Sequence, residues 1–176
     1  IRLSLVGSEM CIRDSIITGT LGKSLGGAMG GFVAASQPVI DLLRQRARPY
    51  LFSNSLAPSV AAGSLKAIEI ARQADDRRAL LGQHTERFRN GMAEAGFELL
   101  PGSTPIIPVM LHDARKAQDM AAALDARGVY VAGFFFPVVP KGKARIRTQM
   151  SAALTPDDVS FAIDAFKDAG KSLGII

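Results

Sequence analysis

One lysine lies inside a glycine-rich stretch, residues 18–27, whose sequence is TGTLGKSLGG. A phosphate-binding P-loop needs a glycine five positions before Gly22, and the chain has Ile17 there, so the spacing argues against that motif. A lysine that forms a Schiff base needs only an amine in a loop of small residues, against which a flat cofactor can lie. Lys23 is therefore either such a nucleophile or an exposed lysine in a glycine turn.

Hydroxyl and amide side chains accompany this lysine at two places. Thr20, three residues before Lys23, can offer its hydroxyl to a phosphate oxygen from the same loop. Ser53 and Asn54 close a predicted strand over residues 50–55, and α/β proteins collect ligands at strand ends. Because serine and asparagine also favour turns, the alternative at Ser53 and Asn54 is ordinary turn chemistry.

Two arginines lie near the C-terminus in the stretch ARIRTQMS, residues 144–151. If this stretch is a strand, Arg145 and Arg147 share one face and Ile146 points to the other. An arginine on a rigid strand in an apolar region is suited to clamp a carboxylate or phosphate with two parallel hydrogen bonds. The alternative is a pair of surface arginines in salt bridges.

Metal and hydrolase chemistry have little support in the sequence. His84 and His112 are far apart and give no metal-ligand spacing, and no Gly-x-Ser-x-Gly motif is present. Cys11 is the only cysteine, which excludes a disulfide framework within the chain and fits a reducing, intracellular setting. We expect no metal site.

The elements that must position these residues alternate between strands and helices. Apolar and turn patterns predict strands over residues 16–21, 30–36, 50–55, 97–100, 106–111, 129–139 and 144–151. Helical spacing predicts helices over residues 37–47, 58–72, 75–95, 114–128 and 155–174. Thr155 is the predicted N-cap of the last helix, with Pro156 at its first position. The pattern predicts an α/β protein that includes a small sheet with helices on one face.

Bulk composition narrows the classes of partner. The chain has 176 residues, of which 48% are hydrophobic, a length that suits one domain or parts of two. Its net charge of +5 is spread along the chain, and the densest group, Arg44 to Arg48, has only Tyr50 as a nearby aromatic residue. The longest apolar run, residues 129–139, is too short to cross a bilayer. We expect neither nucleic acid nor a membrane as a partner.

The first fifteen residues, IRLSLVGSEMCIRDS, show neither strand alternation nor a helical stripe. They also lack the long apolar region and cleavage site of a signal peptide. We expect residues 1–15 to be non-native or disordered and to carry no function.

Three stretches in one order resemble a known enzyme family. They are IITGTLGKSLGGAMGGFVAAS from residue 16, RQRARPYLFSNSLAPS from residue 44, and FFFPVVPKGKARIRTQMSAALTPDD from residue 134. Together they are similar to the α-oxoamine synthases, pyridoxal-phosphate-dependent enzymes with the aminotransferase-like fold type I. The resemblance runs from Ile16 to the C-terminus.

This resemblance implies a role for each candidate residue. Lys23 matches the lysine that binds pyridoxal 5′-phosphate as a Schiff base, and Thr20 matches a residue that contacts the cofactor phosphate. Ser53 and Asn54 match positions that reach the phosphate of a cofactor in the partner subunit, which implies a homodimer with shared active sites. Arg147 matches the arginine that binds the carboxylate of glycine.

The resemblance also implies a domain organisation. Residues 16–74 correspond to the C-terminal part of the large cofactor-binding domain, with the end of its sheet. Residues 75–176 correspond to the small C-terminal α/β domain. Because family members are more than twice this length, we expect the chain to be a C-terminal fragment of a longer enzyme, with the activity of the fragment itself in question.

The implied reaction is an acyl transfer. The most similar family member condenses glycine with acetyl-CoA to give 2-amino-3-oxobutyrate and coenzyme A, and threonine degradation uses the reverse direction. The location implied is the cytoplasm for a bacterial enzyme and the mitochondrion for a eukaryotic one. Two alternatives stay open: another α-oxoamine synthase such as 8-amino-7-oxononanoate synthase, and a catalytically silent α/β fragment.

Overall fold

The computed structural model describes residues 16–26 and 28–176. The expectations for residues 1–15, including Cys11, and for Gly27 lie outside the described residues. The chain divides into two compact units, an N-terminal unit that ends at Asp75 and a C-terminal unit, Asp76–Ile176. The assignment of these units to named domains of a longer enzyme stays a prediction.

A short β-hairpin opens the described part of the N-terminal unit. Strand β1, Ile17–Thr20, pairs antiparallel with β2, Gly31–Ala34, in a register that joins Ile17 to Ala34 and Thr20 to Gly31. Both strands fall within the predicted ranges. Each of the next three helices has a proline in its first turn, where the missing N–H has no intrahelical partner to lose. The helices of this unit are α1 (Gln37–Arg46), α2 (Arg48–Leu51) and α3 (Pro58–Arg72).

The strand predicted over residues 50–55 is wrong. Helix α2 covers Arg48–Leu51, and the backbone N–H groups of Tyr50 and Leu51 both donate to the carbonyl of Ala47. Residues 52 and 53 form a bend, and residues 54–57 are irregular. Pro49 fixes a φ value suited to a first helical turn, and that local preference prevails over the β propensity of the aromatic residues that follow.

The C-terminal unit is an antiparallel sheet covered by helices. Its strand order is β3-β5-β4, with the central strand antiparallel to both neighbours. The strands are β3 (Ile106–His112), β4 (Ala132–Phe134) and β5 (Ala144–Gln149). The helices are α4 (Asp75–Glu94, beginning at the unit boundary), α5 (Ala114–Asp125) and α6 (Pro156–Ser172). The predicted α/β class is confirmed.

One face of this sheet forms the core of the unit. Ile107 and Val109 on β3 alternate toward the same face as Ile146 on β5, and all three are fully buried. Helix α6 contributes Phe166, whose ring meets those of Phe88 and Phe97 edge to face at centroid distances of 5.8 and 6.0 Å. The opposite face of β5 carries Arg145 and Arg147, as the period-2 pattern predicts.

Local signals fix the helix ends. Helix α6 has the predicted cap: the Thr155 hydroxyl accepts from the Asp158 backbone N–H, and the Asp158 carboxylate accepts from the Thr155 backbone N–H. The Thr155 backbone N–H and hydroxyl both donate to the Asp158 carboxylate, and these hydrogen bonds lower the pKa of Asp158 below its ordinary value. Gly96, two residues after the last residue of α4, has φ of +95°, a left-handed conformation that favours glycine and stops the helix.

Two predicted strands are shorter in the structure. Residues 97–100 make only one isolated bridge, between Leu99 and Val109. The apolar run 129–139 supplies just the three residues of β4. Within the part of the chain that the structure describes, no helix combines the length and apolar character needed to cross a bilayer.

Candidate functional site

Lys23 lies in the loop that connects β1 to β2. The backbone N–H of Leu21 donates to the carbonyl of Gly30 at 2.9 Å and closes the base of the loop. Inside the loop, the N–H of Gly26 donates to the carbonyl of Lys23 at 2.9 Å, which forms a tight turn directly after the lysine. The Lys23 side chain is exposed. The hairpin therefore presents an accessible primary amine on a loop that is held at its base and at its turn.

Two glycines are needed for this loop geometry. A Cβ atom at Gly22 would lie 2.8 Å from the carbonyl oxygen of Ala28 and 3.0 Å from Cα of Met29, closer than carbon atoms normally approach backbone. Gly26 has φ of +67°, a left-handed conformation that L side chains rarely adopt. The backbone at Gly22 thus lies closer to the backbone of Ala28 and Met29 than a residue with a Cβ would permit.

Thr20 stands at the end of β1, one residue before the loop closes. Its Oγ1 donates to the carbonyl of Gly30 over 3.4 Å, a long and therefore weak hydrogen bond. The residue is exposed. Because a weak bond is easily exchanged, the Thr20 hydroxyl is available as a donor beside the lysine loop.

Ser53 and Asn54 lie in the bend and irregular segment after α2, and both are exposed. They do not stand at a strand end, so the turn alternative describes their local structure. Leu56 attaches this segment to the lysine loop, because its Cδ2 lies 2.7 Å from where a Cβ of Gly30 would be. Sequence reasoning missed Leu56, and the only signal was an apolar residue isolated in a polar stretch.

Arg147 lies in the C-terminal unit, on the exposed face of β5. Its Cζ lies 5.8 Å from the centroid of the Phe134 ring, within cation–π range. Arg145 on the same face donates through Nε to the carbonyl of Lys143 at 3.2 Å. No carboxylate pairs with Arg147 among residues 16–26 and 28–176, so the predicted alternative of a salt-bridged surface arginine does not describe it.

A cleft of about 720 Å³ lies beside this arginine within the C-terminal unit. Arg147 and Phe134 contribute to its wall, together with residues that lead into β4 and with the first half of α6. Most of the lining is apolar, including Val129, Val131, Ala132, Val159, Ala162 and Phe166.

The two histidines have structural partners. His84 is buried, and its Nε2 donates to the carbonyl of Leu154 at 3.0 Å. His112 meets two oxygen acceptors, with Nδ1 3.1 Å from the carbonyl of Gly142 and Nε2 2.9 Å from Oε2 of Glu98. Because only the doubly protonated ring donates to both, these contacts raise the pKa of His112, the Glu98 hydrogen bond contributing most. The described residues contain no cluster of three or more metal-ligating side chains.

The geometry is that of an amine-presenting hairpin in one unit and a cation-bearing sheet face in another, and sequence comparison assigns the class. The model of the aminotransferase class I and II family matches residues 6–166 of this chain. The chain belongs to that family. The match begins ten residues before Ile16, where the resemblance to the α-oxoamine synthases begins.

Curated relatives narrow the class further. The chain is 56% identical to the 2-amino-3-ketobutyrate coenzyme A ligase of Salmonella typhimurium over 164 residues, which are 93% of this chain and 41% of the relative. It is 48% identical to the human mitochondrial enzyme of that name over 92% of the chain and 39% of the relative. An 8-amino-7-oxononanoate synthase from Thermosipho melanesiensis is 40% identical over 93% of the chain and 42% of the relative. The chain thus spans about two fifths of the length of these relatives.

Solved structures agree on the fold. A serine palmitoyltransferase from S. paucimobilis, with a bound PLP–myriocin aldimine, superimposes with a TM-score of 0.86 at 32% identity, over 92% of this chain and 41% of that chain. An 8-amino-7-oxononanoate synthase from Francisella tularensis has a TM-score of 0.77 at 25% identity, over 89% and 46% of the two chains. The predicted fold type, that of the pyridoxal-phosphate-dependent aminotransferase-like enzymes, is confirmed.

Proposed function

We propose that this chain is part of a glycine C-acetyltransferase, a pyridoxal-phosphate-dependent acyltransferase that condenses glycine with acetyl-CoA to 2-amino-3-oxobutyrate and coenzyme A. Identity of 56% to an enzyme named 2-amino-3-ketobutyrate coenzyme A ligase supports this choice of reaction. The structural observation that carries it is the exposed Lys23 on a loop closed by glycines. Threonine degradation would use the reverse direction of the same reaction.

The residues present fit a phosphorylated aldehyde. Lys23 offers a primary amine, and Gly22 beside it lets the loop close tightly, because a Cβ there would lie 2.8 Å from the carbonyl oxygen of Ala28. Thr20, Ser53 and Asn54 offer exposed hydroxyl and amide donors of the kind that bind phosphate oxygens. In this proposal Lys23 would hold the cofactor covalently and Thr20 would bind its phosphate, while Ser53 and Asn54 would bind the phosphate of the cofactor held by the partner subunit.

The proposal gives Lys23 and Arg147 different roles in the reaction. When bound, pyridoxal 5′-phosphate supplies an electron-withdrawing ring that stabilises negative charge at the α-carbon of the amino acid. With the cofactor bound, the Nζ of Lys23 would remove the proton from that carbon. The Arg147 guanidinium binds the glycine carboxylate through two parallel N–H donors, which orients the α-carbon. Arg147 has these donors available because it pairs with no carboxylate among the described residues.

The proposal includes a homodimer in which Ser53 and Asn54 bind the cofactor of the partner subunit. Large apolar side chains around this segment support an additional protein surface against it, since Tyr50 is 65% and Phe52 77% exposed. For a bacterial enzyme we place this dimer in the cytoplasm. A mitochondrial location applies to a eukaryotic one, as the name of the human relative states for that protein.

A second candidate is another α-oxoamine synthase. The 40% identity to an 8-amino-7-oxononanoate synthase supports a shared cofactor site with a different acyl or amino-acid substrate. A panel of acyl-CoA substrates of increasing length, assayed with glycine and with larger amino acids, separates the two candidates. Preference for glycine and acetyl-CoA supports the first candidate, and preference for a longer acyl chain supports the second.

The first experiment tests whether Lys23 forms a Schiff base with pyridoxal 5′-phosphate. The purified chain is incubated with pyridoxal 5′-phosphate and reduced with borohydride, and the phosphopyridoxyl group is located by mass spectrometry. We expect the label on Lys23 and its loss in Lys23→Ala. Lys66→Ala is the matched control, because Lys66 is also exposed but pairs with Glu69 at 3.0 Å on α3. Label spread evenly over surface lysines would mean that this chain alone is catalytically silent.

A further inference from the structure

Arg147 and Phe134 lie on neighbouring strands and on the same face of the sheet. The register pairs Arg147 with Ala132 and Arg145 with Phe134, so Phe134 is the diagonal neighbour of Arg147. Diagonal neighbours on one face lie within reach of long and aromatic side chains. The Arg147 Cζ lies within this range, 5.8 Å from the centroid of the Phe134 ring.

Among the described residues, the Phe134 ring is the side chain that contacts the Arg147 guanidinium. No salt bridge or side-chain hydrogen bond of Arg147 occurs among residues 16–26 and 28–176, whereas the neighbouring Arg145 donates to the Lys143 carbonyl. An aromatic face attracts a cation without occupying its N–H donors, since it offers no oxygen lone pair. A guanidinium held in this way keeps its donors for an external carboxylate.

The Phe134 ring is itself fixed. Phe134 is half-buried on β4, a strand that pairs with β5 over three consecutive residues. It also forms part of the wall of the 720 Å³ cleft. The strand pairing therefore fixes the position of the ring relative to the arginine, and the ring limits the directions that the long arginine side chain can take.

We propose that Phe134 is a positioning residue for Arg147, holding the guanidinium by its face so that its donor edge meets the carboxylate of the amino-acid substrate. This inference rests on the proposed function. Phe134 acts through Arg147 and touches neither the cofactor nor the reacting atoms. Its loss should weaken binding of the amino acid and leave the acyl-CoA substrate unaffected.

Two substitutions at Phe134 separate the effect of its aromatic face from the effect of its side-chain volume. Phe134→Leu keeps most of the apolar volume and removes the aromatic face, whereas Phe134→Tyr keeps the face. Phe136→Leu is the matched control, because Phe136 lies two residues away and contacts a different cation, the Nζ of Lys141 at 5.2 Å. Circular dichroism of each variant establishes that it is folded.

The first readout is the side-chain NMR signal of Arg147 in the full 176-residue chain, which senses the magnetic field of a stacked ring. We expect the Arg147 Hε resonance to move toward those of unstacked arginines in Phe134→Leu, and to stay in place in Phe134→Tyr and Phe136→Leu. A resonance that does not move in Phe134→Leu overturns the inference without reference to any activity.

The second readout is steady-state kinetics of the active holoenzyme that contains this sequence. An exposed cation–π contact predicts a rise of about two- to fivefold in the glycine KM for Phe134→Leu, with kcat and the acetyl-CoA KM unchanged. Phe134→Tyr and Phe136→Leu should retain the wild-type glycine KM. An unchanged glycine KM, or an equal rise in both KM values, overturns the inference. If the wild-type holoenzyme does not convert glycine and acetyl-CoA at all, the proposed function fails first.

Discussion

The two units of this chain bury very different amounts of apolar surface. In the C-terminal unit, seventeen hydrophobic residues form one buried cluster drawn from its helices and its sheet. In the described part of the N-terminal unit, Leu21 is the one buried hydrophobic residue. Large apolar side chains of that unit lie at the surface instead: Leu42 is 61%, Leu65 70% and Phe52 77% exposed. The described part of the unit that carries Lys23 therefore has little core of its own.

The buried core and the proposed catalytic lysine thus belong to different units of the chain. Burial of apolar side chains supplies most of the free energy that opposes chain entropy, so the C-terminal unit should determine the unfolding of the chain. The lysine loop relies instead on hairpin hydrogen bonds and on glycine geometry. Regions with few buried contacts open with small free energies.

The largest effect should come from the core of the C-terminal unit. Phe88 is 1% exposed and meets Phe166 edge to face, so Phe88→Ala should lower the free energy of unfolding by about 3–5 kcal/mol. Leu65→Ala, at a 70% exposed position of α3, should change it by less than about 0.5 kcal/mol. Urea titrations followed through the amide signals of β3 and β5 measure both values. Equal losses in the two variants would contradict the division between the units.

Much of this architecture follows from local sequence signals. The capping pair Thr155 and Asp158 fixes the start of α6 through contacts within four residues, so the sequence alone predicts it. The alternation of Arg145, Ile146 and Arg147 likewise needs only the period of a strand. The roles predicted for Lys23 and Thr20 likewise depend on local sequence, because the glycines that shape their loop are sequence neighbours.

The wrong or missing predictions depend on contacts between distant residues. The predicted strand at residues 50–55 finds no neighbouring strand among the described residues, and without such pairing the local preference of Pro49 for a helical first turn prevails. Leu56 reaches Gly30 across 26 residues, and Phe134 reaches Arg147 from another strand. No spacing rule links such pairs, so both contacts became visible only in the fold.

A second, smaller effect should distinguish two glycines that look alike in sequence. At Gly22 an added Cβ would stand 2.8 Å from a backbone oxygen, whereas at Gly82 in α4 it would meet open space. Gly22→Ala should therefore strain the lysine loop by about 1–3 kcal/mol and reduce phosphopyridoxyl labelling of Lys23. The amide signals of β3 and β5 should not change in their urea response, because the strain is confined to the loop.

The matched variant Gly82→Ala lies in the C-terminal unit and should raise the free energy of unfolding of that unit. Replacing a glycine in the interior of a helix by alanine raises stability by about 0.5–1 kcal/mol where space allows. We expect that increase in the urea titration of β3 and β5, with unchanged labelling of Lys23. If Gly22→Ala labels as efficiently as the wild type, the loop does not depend on the close approach at Gly22.

The smallest effect concerns pH and the C-terminal unit alone. The Glu98 carboxylate and the Gly142 carbonyl raise the pKa of His112 above its ordinary value of 6.5. A raised folded-state pKa means that the charged ring stabilises the fold fully below about pH 6.5, the unfolded pKa, and that this contribution is lost as pH rises through the folded value. The stability difference between wild type and His112→Gln should therefore shrink as pH increases above neutrality.

Glu98→Gln separates the carboxylate from the carbonyl. Because the hydrogen bond to Glu98 contributes most to the shift, this variant should lower the pKa of His112 toward 6.5, as measured by NMR titration of the ring protons. The remaining contact, Nδ1 to the Gly142 carbonyl at 3.1 Å, should keep the ring in place. A His112 contribution that grows with pH would contradict the sign of the shift. It would mean that the neutral ring is the form that the folded unit prefers.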